Sequence, residues 1–204
     1  MKSLLIGIAG LSGSGKTALA RQLAPRLDPP AEILTLDSYY HPQHHLTLDE
    51  RNRLNFDHPD SLDWALLSRH LEALSQGQPI DEPQYLFDQH TRAATTRRVE
   101  PTPYLILEGI LTLHRPEIRA LLDLKIFVTT QAGECLRRRL ERDIAERGRT
   151  RQSVLDQYNK TVWPMAIEYV IPSGNFADLV VSGQEPLDRS VESVLSHLRR
   201  ASAA

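Results

Sequence analysis

Several features that would have pointed elsewhere are scarce or absent. Among 204 residues there is one cysteine, Cys135, so no intrachain disulfide can form, and a reducing, cytoplasmic location is the expectation. No apolar run approaches the ~20 residues that cross a bilayer; stretches such as residues 4–9 have the length of a strand. Charge of one sign is missing too. With 24 basic residues against 26 acidic ones, no global field would hold the chain on nucleic acid or an anionic membrane, and any anion site must be local. Lysine is rare, 4 residues against 20 arginines; arginine's planar fork suits carboxylates and phosphates, although genome composition could give the same excess. There is no internal repeat, low-complexity segment or long linker, and at ~150 residues per domain the chain reads as a single domain over 1–204. The 41% of hydrophobic residues is enough for a sizeable core. Lys2 precedes a short apolar run that enters a glycine-rich loop without a small-residue cleavage pattern, so the N-terminus reads as a first strand and not as a signal peptide.

The apolar pattern alternates between short continuous runs and helical spacing. Strands are expected near 4–9, 32–36, 104–107, 124–128 and 178–181, and helices near 16–27, 62–75, 132–147, 152–162 and 187–200, with Pro164 suited to the first turn of another helix. Residues 84–99 are polar and β-favouring, which fits a hairpin or an extended loop. This alternation argues for an α/β fold with an open, mostly parallel sheet flanked by helices, whose ligands sit beyond the C-terminal ends of the strands.

Between the first strand and the first helix stands Gly10-Leu11-Ser12-Gly13-Ser14-Gly15-Lys16-Thr17, a glycine, four residues, a glycine, a lysine and a threonine. Glycines let the backbone turn its N–H groups inward, and the helix start adds its positive end, so the loop can wrap phosphate oxygens. Lys16 would reach the β and γ phosphates and Thr17 would offer its hydroxyl to Mg²⁺. A glycine-rich strand-to-helix turn without ligand is the plainer reading, but the strand and helix on either side favour nucleotide binding.

Such a loop does not distinguish kinases from GTPases, motors or helicases. Asp37 follows the second apolar run and could take a proton from an attacking hydroxyl, or could be a turn aspartate. Glu108 directly follows the strand at 104–107, where a carboxylate that holds Mg²⁺ or its waters is expected. Asp37-Ser38-Tyr39-Tyr40, Asn55-Phe56-Asp57-His58-Pro59, residues 85–92, Glu108-Gly109-Ile110-Leu111, residues 142–149, Gln157-Tyr158 and Pro164-Met165 occur in one order along the chain. Together these blocks resemble the uridine kinase (uridine-cytidine kinase) family of P-loop kinases.

The resemblance implies transfer of the γ-phosphoryl of ATP or GTP to the 5′-hydroxyl of uridine or cytidine. It implies a P-loop kinase core with a small β-hairpin over the nucleoside at about 80–100, a mobile arginine-bearing lid at about 142–152, and a homotetramer. By the same resemblance Asp37 is the catalytic base, with Lys16 on the phosphates and Tyr40 alongside. Thr17 and Glu108 form the metal site, and Asp57 grips the ribose hydroxyls. Tyr85 and Phe87 wall the base, His90 meets its position-4 substituent, and Arg139 and Gln157 contact the nucleoside. From Arg137 to Arg151 seven arginines face three acids, and Arg142, Arg147 and Arg149 resemble phosphate or lid arginines, with Gly148 as the hinge. Arg137 and Arg138 are read as surface, and His41, His44 and His45 as a solvated loop in preference to a metal site. A phosphoribulokinase-like enzyme on the same core is one alternative, and a nucleotide-dependent switch without phosphoryl transfer is another.

Overall fold

The computed structural model describes residues 3–202, so Lys2 lies outside the described residues. Its framework is a five-stranded sheet in the order β2-β5-β1-β6-β7, every neighbouring pair parallel. The strands are β1 (Leu4–Gly10), β2 (Glu32–Thr35), β5 (Tyr104–Glu108), β6 (Leu124–Thr129) and β7 (Leu179–Ser182). A separate antiparallel pair, β3 (Ile80–Leu86) and β4 (Thr91–Val99), forms a hairpin.

The central strands are apolar throughout because both faces are covered. In β1, Leu5 and Ala9 turn toward a core shared with Leu67, Leu71 and Leu74 of helix α3, whereas Ile6 and Ile8 turn the other way against Leu19 and Leu23 of α1. Helix α1 spans Lys16–Leu23, the short α2 spans Leu48–Arg51 and α3 spans Trp64–Ser75. The expected first helix, 16–27, is thus an α-helix followed by a 3-10 turn at Ala24–Arg26. Asp63 caps α3 by accepting the Leu66 N–H at 3.0 Å. Helix α4 is Pro116–Leu121, α5 is Ala132–Arg147, and the terminal α9 is Leu187–Ser202, which places Val191 and Val194 beside α1.

Pro164 does not begin a new helix. Instead α6 (Arg151–Gln157) continues through a π turn (Tyr158–Val162), α7 (Trp163–Met165), a second π turn (Ala166–Val170) and α8 (Ile171–Ser173) as one rod. Each widened turn lies just ahead of a proline, Pro164 or Pro172. A proline removes one main-chain donor and crowds the carbonyl four residues before it, and a π turn makes room for both defects without breaking the helix.

Candidate active site

The phosphate loop is held open by packing from the opposite side of the sheet. Gly13 has φ +84°, and a Cβ there would collide with the Cys135 carbonyl of α5, so glycine is required by conformation and by space. Gly15, at φ +101°, forms the N-cap of α1. The Ser14 N–H donates to the Leu11 carbonyl at 2.9 Å, and the Thr130 hydroxyl, just past β6, donates to the Ser14 carbonyl at 3.0 Å. Lys16 is 9% exposed and Ser14 is buried with its hydroxyl unpartnered, so the loop offers a polar interior suited to phosphate oxygens. Gly10 ends β1, Ser12, Gly13, Ser14 and Gly15 form the turn, and Lys16 and Thr17 begin α1, so all seven lie on one continuous segment.

Lys16 and Asp37 follow strands that are consecutive in sequence but not neighbours in the sheet, because β5 lies between β1 and β2 and brings Glu108 into the gap. The Thr17 hydroxyl donates to Glu108 Oε1 at 3.2 Å and Thr35 approaches the same oxygen at 3.4 Å. Burial raises the Glu108 pKa, Lys16 pulls it down and Asp37 adds to the rise. A hydroxyl beside a carboxylate is a hard oxygen donor set of the kind Mg²⁺ takes alongside waters and phosphates. Among the described residues no three or more His, Cys, Asp or Glu side chains form a metal cluster, which Mg²⁺ at a triphosphate does not require.

Asp37 sits in a 3-10 turn, Leu36–Tyr39, at the end of β2. After burial itself, its carboxylate is the charge that most raises the pKa of Tyr40 and of Tyr85, and it also acts on Asp57, Glu108 and Arg147. Those five groups come from the end of β2, the hairpin, the 55–59 segment, β5 and the end of α5, so the charge of Asp37 is felt by all of them, and Tyr40 is hydrogen-bonded to it. The turn is tied down by Arg92 of β4, which donates to the Tyr39 carbonyl at 3.0 Å and pairs with Asp63 at 3.4 Å.

Tyr85, Phe87 and His90 come together with Tyr40 on an aromatic cluster. Ring centroids are 5.1 Å apart for Tyr40 and Tyr85 and 5.3 Å for Tyr85 and Phe87. Its centre is a residue not singled out from the sequence: Phe56 stacks on His90 at 5.0 Å and 15° and meets Tyr40 edge-on at 5.4 Å. The Tyr85 hydroxyl is buried without a partner. His90 takes a left-handed φ of +50° at the hairpin turn, and its pKa is lowered by burial first and then by Arg149, Arg147 and Arg51. Arg51 also donates to the Gln89 carbonyl at 2.6 Å, and His44 lies 3.3 Å from the Thr91 hydroxyl, so the histidine-rich loop leans on the hairpin. At the foot of the hairpin Arg97 bridges Glu82, at 2.8 Å, and Glu32 of β2.

Asp57, only 8% exposed, lies next to this cluster. The Asn55 side chain accepts its N–H at 3.1 Å, and the Thr161 hydroxyl from the first π turn donates to Oδ2 at 3.3 Å. Burial raises its pKa, with Arg139 and Thr161 opposing.

The arginines gather on the far wall. Arg139 is buried, and it donates to the Ser12 hydroxyl at 2.9 Å and to Gln157 Oε1 at 3.0 Å; Arg149 donates to the same Gln157 oxygen and to the Ser153 carbonyl at 2.9 Å. Helix α5 ends at Gly148 with φ +62°, and beyond it the chain turns back toward Gln157. Arg147 lies over the Phe87 ring at 5.0 Å, so the end of α5 touches the hairpin. Arg137 is a surface residue paired with Glu134 and Glu141, but Arg138 is not simply surface: it donates to the Gly183 carbonyl at 2.9 Å and lines a pocket with Gly15, Ala18 and Ser182.

Residues 5–187 match the phosphoribulokinase/uridine kinase family. The chain is 43% identical over 183 residues to a uridine kinase of Shewanella frigidimarina and 45% identical over the same length to a uridine kinase of Klebsiella pneumoniae, covering 87% of this chain and 86% of each relative. Its fold is similar to phosphoribulokinase from Rhodobacter spheroides, with a TM-score of 0.64 at 18% identity over 91% of this chain and 74% of that one. It is similar as well to D-glycerate 3-kinase from Cryptococcus neoformans, with a TM-score of 0.64 at 15% identity over 91% and 88% of the two chains. At those identities the two structures speak for the fold alone. With a phosphate loop at the end of β1, acids at the ends of β2 and β5, and a family match over most of its length, this chain belongs to the phosphoribulokinase/uridine kinase family.

Proposed function

We propose that this protein is a uridine/cytidine kinase that transfers the γ-phosphoryl of ATP or GTP to the nucleoside 5′-hydroxyl, giving UMP or CMP for pyrimidine salvage. The observation that carries the reading is the joining of an aromatic slot to a buried carboxylate: Tyr40, Phe56, Tyr85 and His90 pack together beside Asp57, within the field of Asp37. A flat heterocycle can stack on an exposed aromatic face, and one carboxylate can accept from two vicinal ribose hydroxyls. The uridine kinases that this chain is similar to point the same way.

In this reading Asp57 fixes the ribose and Asp37 accepts the 5′-hydroxyl proton as that oxygen attacks the γ-phosphorus. Lys16, the loop N–H groups and Arg142, Arg147 and Arg149 balance the charge on the transferring group. Thr17 and Glu108 would hold Mg²⁺, which when bound neutralises charge on the triphosphate. Arg139 and Gln157 close the ribose side. Neutral His90 carries one donor and one acceptor nitrogen, so it can serve the uracil carbonyl or the cytosine amine. We place the reaction in the cytoplasm, treat residues 1–204 as one kinase domain with the hairpin and lid as appendages, and expect a homotetramer, which light scattering would test.

A coupled ADP-release assay across nucleosides is the decisive experiment. Uridine and cytidine should be turned over with ATP or GTP, and adenosine and guanosine should not. Turnover of a sugar phosphate in their place would favour the phosphoribulokinase-like alternative, and slow hydrolysis indifferent to every nucleoside would favour a switch.

A further inference from the structure

Asp143 has no part in the reading above, yet it is fully buried in the last turns of α5 and four guanidinium groups converge on it. Arg142 donates to Oδ1 through Nε and Nη2 at 2.9 and 2.7 Å. Arg147 lies 3.6 Å from Oδ1, and Arg139 and Arg149 lie 3.4 and 4.0 Å from Oδ2. The main-chain carbonyl of Asp143 also accepts the N–H of Gly148 and, at 3.1 Å, that of Arg149, so the same residue closes the helix and aims the turn after it.

One carboxylate cannot neutralise four cations; even with Asp57 acting on Arg139 and Asp37 on Arg147, the group keeps an excess of positive charge, and Arg139 joins it to Ser12 of the phosphate loop. Asp143 Oδ2 and Arg139 Nε are buried without a hydrogen bond although they face each other, so charge rather than saturated hydrogen bonding holds the group together. Like charges this close repel. Without the acid the partly exposed members, Arg142 and Arg147, have no buried anchor. We propose that Asp143 is a positioning residue for the phosphoryl donor: it gathers Arg142, Arg147 and Arg149 into one clamp whose surplus charge is met by the triphosphate, and it ties that clamp through Arg139, on the ribose side, to Ser12 of the phosphate loop. This deepens the assignment of the lid arginines to the donor phosphates and rests on it.

The test compares Asp143→Asn, which keeps shape and removes charge, with wild type, by calorimetric Kd for ATP without nucleoside and by the KM values for ATP and uridine. Kd and KM for ATP should rise at least tenfold while the KM for uridine rises by a clearly smaller factor, and most of the loss in ATP binding should vanish when the change is made on an Arg149→Met background, because the two act through the same clamp. The pair Arg142→Gln with Asp143→Asn keeps the net charge of the cluster and serves if the single variant does not fold; it should still bind ATP at least tenfold more weakly. An equal rise in both KM values, an unchanged ATP Kd, or full additivity with Arg149→Met would overturn the proposal. A wild type that binds ATP but phosphorylates no nucleoside would overturn the uridine reading, and the ATP Kd comparison would still decide the role of Asp143.

Discussion

Replacing Asp37 by asparagine keeps the size of the side chain and removes its capacity to take a proton. Turnover of uridine by Asp37→Asn should fall by about 10²-fold or more in kcat; near-normal kcat would remove the base assignment. At Asp57 the partner is the ribose, so deoxyuridine should lose at least tenfold in kcat/KM, about 1.4 kcal/mol, against uridine, and equal values would take Asp57 out of the ribose site. His90 makes a pH prediction. Its pKa is held below the ordinary 6.5, so the ring stays neutral until the pH falls beneath that value. A protonated ring only donates, which suits the uracil O4 and repels the cytosine amine. The uridine to cytidine ratio of kcat/KM should therefore be flat above pH 6.5 and rise in acid, and His90→Tyr should change the neutral ratio and abolish the pH dependence. At this scale the sequence was informative where a residue type carries its chemistry, as with Lys16, Asp37 and Glu108. Phe56 was missed because an aromatic beside Asp57 reads as core until the hairpin folds over it, and Asp143 because α5 alone shows an i,i+4 ion pair with Arg147 and not the arrival of Arg149 from beyond the helix.

Among elements, the phosphate loop is the most constrained. Gly13→Ala would meet a positive φ and the Cys135 carbonyl together, and one of the two must shift. A backbone outlier of this kind costs ~1–3 kcal/mol, so the variant should melt earlier and bind ATP at least tenfold more weakly; ATP binding equal to wild type by calorimetry would show that the loop does not use this conformation. The hairpin was legible because β4 carries three threonines and a valine, which favour extended backbone, and α5 was legible through Gly148 at its end. The strand order was not. Parallel strands covered on both faces look alike in sequence, and nothing local says that β5 inserts between β1 and β2. The rod at 151–173 was divided at Pro164 because proline ordinarily ends a helix, and only the widened turn removes that conflict.

For the whole molecule, the walls proposed for nucleoside and donor touch. Each ligand at 100 times its Kd should stabilise by about 2.7 kcal/mol, a thermal shift of roughly 5–10 °C for a chain of this size. Because Arg147 of the lid rests on Phe87 of the hairpin, uridine and a non-hydrolysable ATP analogue together should raise the melting midpoint by more than the sum of their separate shifts, by ~2–4 °C if the contact is worth about 1 kcal/mol. In Arg147→Met the shifts should simply add, and strict additivity in wild type would show that the two walls do not communicate. The rod has a related part. Gln157, Thr161 and Tyr169 lean respectively on the lid arginine, on Asp57 and on His58, at 3.2 Å for the last. In a regular helix of 3.6 residues per turn, the twelve positions from Gln157 to Tyr169 make three and a third turns, and Tyr169 would face about 120° away from Gln157. Each π turn absorbs extra residues and winds that angle back. The rod therefore works as a phase adjuster: the widened turn ahead of Pro164 changes the rotation between the face that carries Gln157 and Thr161 and the one that carries Tyr169, so one helix braces both the 55–59 segment and the arginines.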